Sequence, residues 1–178
     1  MLAGNTAFVP TIEAVEPLQV ITVGATAVSN VTFTNIPSTY SHLQVRLISR
    51  NSTTDNTTIY MQFNNDTATN YNFHLLYGTG SAVGVAAGTS SAQIEIGEQP
   101  NGANIFNASV IDILDYKDTN KYKTVRALGG FDSNGDGRII LRSGAWRSTS
   151  AISSIKFTLQ TGNFTQYSQF ALYGVKSA

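Results

Sequence analysis

The chain contains no cysteine, which excludes disulfides and thiolate metal sites together. Small secreted domains usually rely on disulfides, so this fold must be held by its apolar core. Charge is scarce as well. Only 12% of residues are Asp, Glu, Lys or Arg, about half the usual ~25% share. Eleven basic and eleven acidic residues cancel. A balanced surface gives no field to gather nucleic acid, so a nucleic-acid partner is not expected. No apolar run approaches the ~20 residues of a membrane helix, and the start has neither a basic segment nor a signal-length apolar run. Membrane insertion is therefore not expected. Histidine is limited to His42 and His74. The glycine-rich run 78–84 fits neither the nucleophile-elbow nor the dinucleotide-loop spacing.

What fills the chain instead is Ser, Thr, Asn and Gly around a 42% hydrophobic fraction. Asn-x-Ser/Thr triplets at Asn30, Asn51, Asn56, Asn107 and Asn163 follow from that composition rather than from glycosylation. From residue 18 onward the apolar period is two. Val31 and Phe33, then Leu43, Val45 and Leu47, then Ile59, Met61 and Phe63 alternate with polar neighbours. Ile94 and Ile96, Ile155, Phe157 and Leu159, and Phe170 and Leu172 repeat the pattern. Strict alternation marks half-buried strands of antiparallel sheets. Between them lie turn clusters at 51–56, 64–66, 78–80, 100–102 and 132–137. The reading is an all-β, antiparallel β-sandwich of jelly-roll type at 18–178, with about ten strands. The hairpin over 106–130 is read as the longest element. Residues 1–17 hold Pro10 and Pro17 among scattered apolar residues. They are read as an extended N-terminal arm, since proline breaks helices and ladders alike.

Several segments carry a resemblance. Residues 33–46 (FTNIPSTYSHLQVR), 61–66 (MQFNND), 110–116 (VIDILDY), 119–124 (TNKYKT) and 166–174 (QYSQFALYG) occur in this order. Together they resemble small virion structural proteins of tailed bacteriophages, over roughly residues 18–176. The resemblance implies a β-sandwich on the virion surface and brings no catalytic or binding residues with it. Its partners would be other virion proteins, major capsid or tail, with the chain forming a homo-oligomer such as a trimer.

Residues 132–137 (DSNGDG) match the opening of a calcium loop, with Asp132, Asn134 and Asp136 as oxygen donors. The closing glutamate position is Ser143, and a tight Asn-Gly hairpin turn explains the same letters. The turn is preferred, so no metal and no cofactor is expected. Asp112 and Asp115 are close in sequence, but i and i+3 on a strand point to opposite faces. No catalytic residue is assigned, and Lys117, Lys121 or Lys123 is expected to neutralise the acids around the turn. Trp146 is read as filling the end of the sandwich core; with Arg147 it is also a candidate for an interface or ligand contact, because amphipathic rings enrich both. Phe8, Val9 and Ile12 are candidates for packing on a neighbouring subunit. The expected function is a non-enzymatic virion component: a capsid decoration or cement protein, or else a tail-fibre head adhering to a host surface polysaccharide.

Overall fold

The computed structural model describes residues 14–176. Twelve strands and no helix occur among them. They are β1 (Val15–Thr22), β2 (Asn30–Phe33), β3 (His42–Ser49), β4 (Thr57–Phe63), β5 (Tyr71–Gly78) and β6 (Val83–Ser91). Then follow β7 (Ile94–Gln99), β8 (Asn107–Leu114), β9 (Lys123–Asp132), β10 (Gly137–Trp146), β11 (Ile155–Leu159) and β12 (Gln169–Val175). Eight form one sheet in the order β1-β12-β3-β8-β9-β10-β5-β6, and four form a second, β2-β11-β4-β7. Every pairing is antiparallel.

The pairing is nested. The first four strands alternate between the sheets, and each finds a later partner in the same sheet. β1 pairs with β12, β2 with β11, β3 with β8, and β4 with β7. The hairpins β5–β6 and β9–β10 extend the larger sheet beyond that frame.

The core follows from the alternation. Leu43, Val45 and Leu47 of β3, Ile59, Met61 and Phe63 of β4, and Ile111 and Ile113 of β8 are all buried between the sheets. Phe157 is fully buried, with its ring edge-on to Phe33 at 6.2 Å and 5.4 Å from Phe170. Phe164 continues the row, 5.0 Å from Phe170. At the other end Phe63, Tyr71 and Trp146 form a second aromatic cluster.

Several polar groups enter the interior with partners. The Lys123 ammonium is fully buried and donates to the carbonyls of Asp118, Lys121 and Thr149, and burial lowers its pKa. Arg142 pairs with Glu95 at 2.8 Å.

Three readings of the sequence change. Val15, Glu16 and Pro17, assigned to the arm, belong to β1 and pair with Val175, Gly174 and Tyr173. Pro17 is tolerated because β1 is an edge strand and its ladder shifts register between Pro17 and Gln19. Phe8, Val9 and Ile12 lie outside the described residues. The longest strands are β9 and β10, ten residues each, rather than the β8–β9 hairpin. β6 escaped notice because its inward positions are Gly84, Ala86 and Gly88. The rings of Tyr77 and Phe73 lie over the two glycines, close enough that a Cβ at either would collide with them. Aromatic cover takes the place of side chains that the strand lacks.

Candidate binding surface

The outer face of the larger sheet departs from the usual rule for a half-buried sheet, which puts polar residues outside. One cross-strand row runs Val110 on β8, Leu128 on β9, Leu141 on β10, Leu76 on β5 and Val85 on β6. All five are exposed. On the other side of Val110 the row continues through Arg46 and Ala171 to Val20 of β1. A neighbouring row holds Ile48, Ala108, Gly130, Ile139, Gly78 and Val83. Ile139 is 63% and Val83 84% exposed. With strands ~4.8 Å apart, this band spans roughly 34 Å across the sheet.

Small residues shape it. Ala108, Gly130 and Ala171 leave a shallow groove of about 670 Å³ between the walls made by Ile48, Val110, Leu128 and Ile139. At one end the Arg46 guanidinium lies 4.9 Å over the Tyr173 ring, and its Nε donates to Gln44 Oε1 at 2.9 Å. Arg138, next to Ile139, points to the opposite face, where it is paired with Glu98 of β7 at 2.6 Å and lies over Tyr77. The flanking row is polar: Gln44, Asp112, Arg126, Ser143 and His74. Gln44 Nε2 donates to Asp112 at 2.9 Å. The face is thus an aliphatic band with a polar rim, the plan of a protein–protein contact.

The residues singled out in the sequence lie elsewhere. Trp146 does not reach solvent: it is 2% exposed, stacked on Tyr71 at 6.2 Å and 16°. Its Nε1 donates to Asp66 Oδ2 at 2.7 Å. As the last residue of β10 on the inward phase, it fills the end of the core, as expected, and is not a ligand contact. The Asp66 carboxylate also accepts from Asn70 Nδ2 and Ala68 N. These bonds, that from Asn70 foremost, hold its pKa below the usual carboxylate range. Arg147 is exposed one residue on.

Asp132, Asn134 and Asp136 form the β9–β10 hairpin turn. Asn134 and Gly135 have φ of 57° and 100°, the double left-handed geometry of a two-residue type I′ turn. Ser133 N donates to Asp136 O at 2.6 Å, and Asp132 Oδ1 accepts from Asn134 N at 2.7 Å. Ser143, the would-be closing ligand, sits in mid-strand opposite His74 and Arg126.

Asp112 is on the outer face, while Asp115 turns the chain at φ 51°. Lys121 neutralises Asp115 at 2.7 Å, and that contact raises the lysine's pKa. The two acids do not converge. His42 accepts the Asp115 N–H on Nδ1 at 2.9 Å, a structural role for a strand-end histidine. Among the described residues, no three His, Asp or Glu side chains gather as metal ligands.

No family model matches the chain, and neither a curated protein nor a solved structure is significantly similar to it.

The apolar band was missed because single-strand alternation was used to find the core. Its signal is present in the doublings that break the period: Leu47-Ile48, Leu75-Leu76, Val110-Ile111 and Ile139-Ile140-Leu141. Adjacent apolar residues in a strand mean that both faces seek cover.

Proposed function

We propose that the chain is a non-enzymatic structural protein of the surface of a tailed-bacteriophage particle, a decoration or cement protein. It docks on the shell through the outer face of its larger sheet. The observation that carries this reading is the exposed aliphatic band that runs from Ile48 on β3 to Val83 and Val85 on β6. A large exposed apolar patch with a polar rim marks a surface meant to be covered. Its chemistry suits a flat protein partner. Carbohydrate sites need aromatic platforms with directed polar groups, and the band is made mostly of Val, Leu and Ile. The exposed tyrosines Tyr122 and Tyr167 precede strands that start at opposite ends of the sandwich, so they form no common platform.

Two further points support it. The nested pairing of β1–β4 with β12, β11, β8 and β7 supports a jelly-roll reading, since a double Greek key would nest strands in that way. Three of the five segments resembling phage virion proteins include parts of β3, β8 and β12, which are neighbours in the larger sheet. The mechanism is then mechanical. A rigid sandwich presents a preformed face, and many copies multiply a modest contact into stable attachment.

The test uses virions grown from a phage whose copy of this gene is deleted, with purified labelled protein added back. Many copies distributed over the capsid are expected. Binding of a few copies at the tail tip would assign the chain to a fibre instead. No binding to the particle would reject the reading outright.

A further inference from the structure

The two rows of the aliphatic band carry one charged side chain between them, Arg46, which stands between Ala171 of β12 and Val110 of β8. Arg46 is exposed, and with Tyr173 it lines the end of the groove. Its head is held from two sides. The guanidinium is stacked 4.9 Å from the centre of the Tyr173 ring, and its Nε donates to Gln44 Oε1 at 2.9 Å. Gln44 is fixed in turn, because its Nε2 donates to Asp112 Oδ1 at 2.9 Å. The nearest acid on this face is thereby turned to the glutamine, and Arg46 makes no ion pair among the described residues. Arg126, in the flanking polar row, has Asp112 directly across the ladder. Arg138 and Arg142, on the inner face, each hold a glutamate of β7. A guanidinium has two edges that can grip a carboxylate with paired bonds. Gln44 occupies the edge that includes Nε. The edge formed by the two terminal nitrogens has no partner among the described residues.

A protein lying on the band strips water from this guanidinium along with its aliphatic neighbours. A cation buried without a counter-charge outweighs the apolar contact around it. One that meets a carboxylate through its fork becomes an anchor of the contact. We propose that Arg46 is the specificity-determining residue of the docking face, and that it receives an aspartate or glutamate side chain set among apolar residues of the partner protein. The partner is the one proposed above, so its identity rests on that reading. The charge pattern selects a protein acid over a nucleic-acid phosphate. A phosphate backbone is met by several cations in file, and this band supplies a single one. The head of Arg46 is already fixed by Tyr173 and Gln44, so little freedom is lost when the acid arrives.

Octanoate is a minimal probe, a carboxylate on an aliphatic chain, and octanol and octylammonium differ from it only in the head group. Each is titrated into the purified protein below its aggregation concentration and followed by the amide chemical shifts of Val110, Leu128 and Ile139. Octanoate should bind about fivefold more tightly than octanol and at least about tenfold more tightly than octylammonium. Arg46→Gln should bring the three within about twofold of one another. Arg46→Lys keeps the charge, loses the fork and should fall between. On gene-deleted virions, binding should decline in the order wild type, Arg46→Lys, Arg46→Gln, Arg46→Glu. The last should lie at least about tenfold below Arg46→Gln, because two acids then face each other. No octanoate preference, or one that survives Arg46→Gln, overturns the proposal, as does virion binding indifferent to Arg46→Glu. Glu13 is the one acidic side chain outside the described residues. Octanoate binding that tightens in Glu13→Gln would hand the fork to the chain's own acid and overturn the proposal too. Micromolar affinity that climbs with chain length would make the groove a fatty-acid site instead. Wild-type protein that prefers octanoate but binds no virion refutes the docking reading alone. Thermal melts of each variant separate lost binding from lost folding.

Discussion

Leu128→Asp is the sharpest probe of the sheet face. Leu128 lies in the middle of the aliphatic row, between Val110 and Leu141, and is 52% exposed. Burying a full leucine side chain is worth roughly 1.5–3 kcal/mol, so covering the open half yields about 1–1.5 kcal/mol. Aspartate forfeits that and carries an unpaired carboxylate into the contact, which adds at least about 2 kcal/mol. The sum exceeds about 3 kcal/mol, more than a 100-fold loss of affinity. The isolated domain should keep its fold. Its cost is that of a poor strand former at an open position, up to about 1 kcal/mol, against a total stability of about 5–15 kcal/mol. The control is Thr124→Asp on the same strand and face, exposed and roughly 13 Å away along β9 at the usual rise. Binding to gene-deleted virions should fall more than about 100-fold for Leu128→Asp and stay within about twofold for Thr124→Asp. Equal losses would show that added charge, not lost apolar contact, is being read. Unchanged binding of Leu128→Asp would refute the face as the docking surface.

Other outcomes follow from the core, the titrating groups and the turn. Phe157→Ala should cost about 3–5 kcal/mol in urea denaturation, because the ring is fully buried against Phe33 and Phe170, whereas Lys156→Ala should stay within about 0.5 kcal/mol. Similar midpoints would mean the faces of β11 are misassigned. Burial pushes the Tyr71 hydroxyl up to about 12. Its contribution is therefore complete below pH 10 and is lost as pH rises towards 12, by about 1.4 kcal/mol per unit. Tyr71→Phe should start less stable, since it orphans the Phe63 N–H, and then decline less steeply than wild type over that range. Parallel alkaline limbs would contradict this. Melts in millimolar calcium and in chelator should coincide, because Asp132 is engaged with Asn134 in a type I′ turn. A site loaded a hundredfold above its dissociation constant would add about 2.7 kcal/mol, seen as a shift of several degrees.

Much of this architecture was written in the alternation. The side chains of an isolated strand point alternately to two sides whatever its partners, so a period of two identifies strands and one consistent face before any pairing is known. Leu43, Val45 and Leu47, Ile59, Met61 and Phe63, and Ile155 and Phe157 were all assigned to the core on that ground, and all are buried. The Asn-Gly turn at 134–135 was equally legible, because its double left-handed backbone is a local demand met by local residues. That Trp146 fills the end of the core was expected from the sequence and is so, but the partners it meets there were not legible. Its place in the core depends on Tyr71, Phe63 and Asp66, which reach it from β4, β5 and the turn between them, and no local pattern encodes that meeting. β6 was hidden for the same reason, since Tyr77 and Phe73 supply the bulk that its glycines lack. The candidate surface depended most on tertiary structure. Ile48, Val110, Leu128, Leu141, Leu76 and Val85 come from different strands, and each alone is an ordinary exposed apolar residue. Only the strand order and register set them side by side, because cross-strand neighbours are fixed by which backbones hydrogen-bond, a choice the whole fold makes at once.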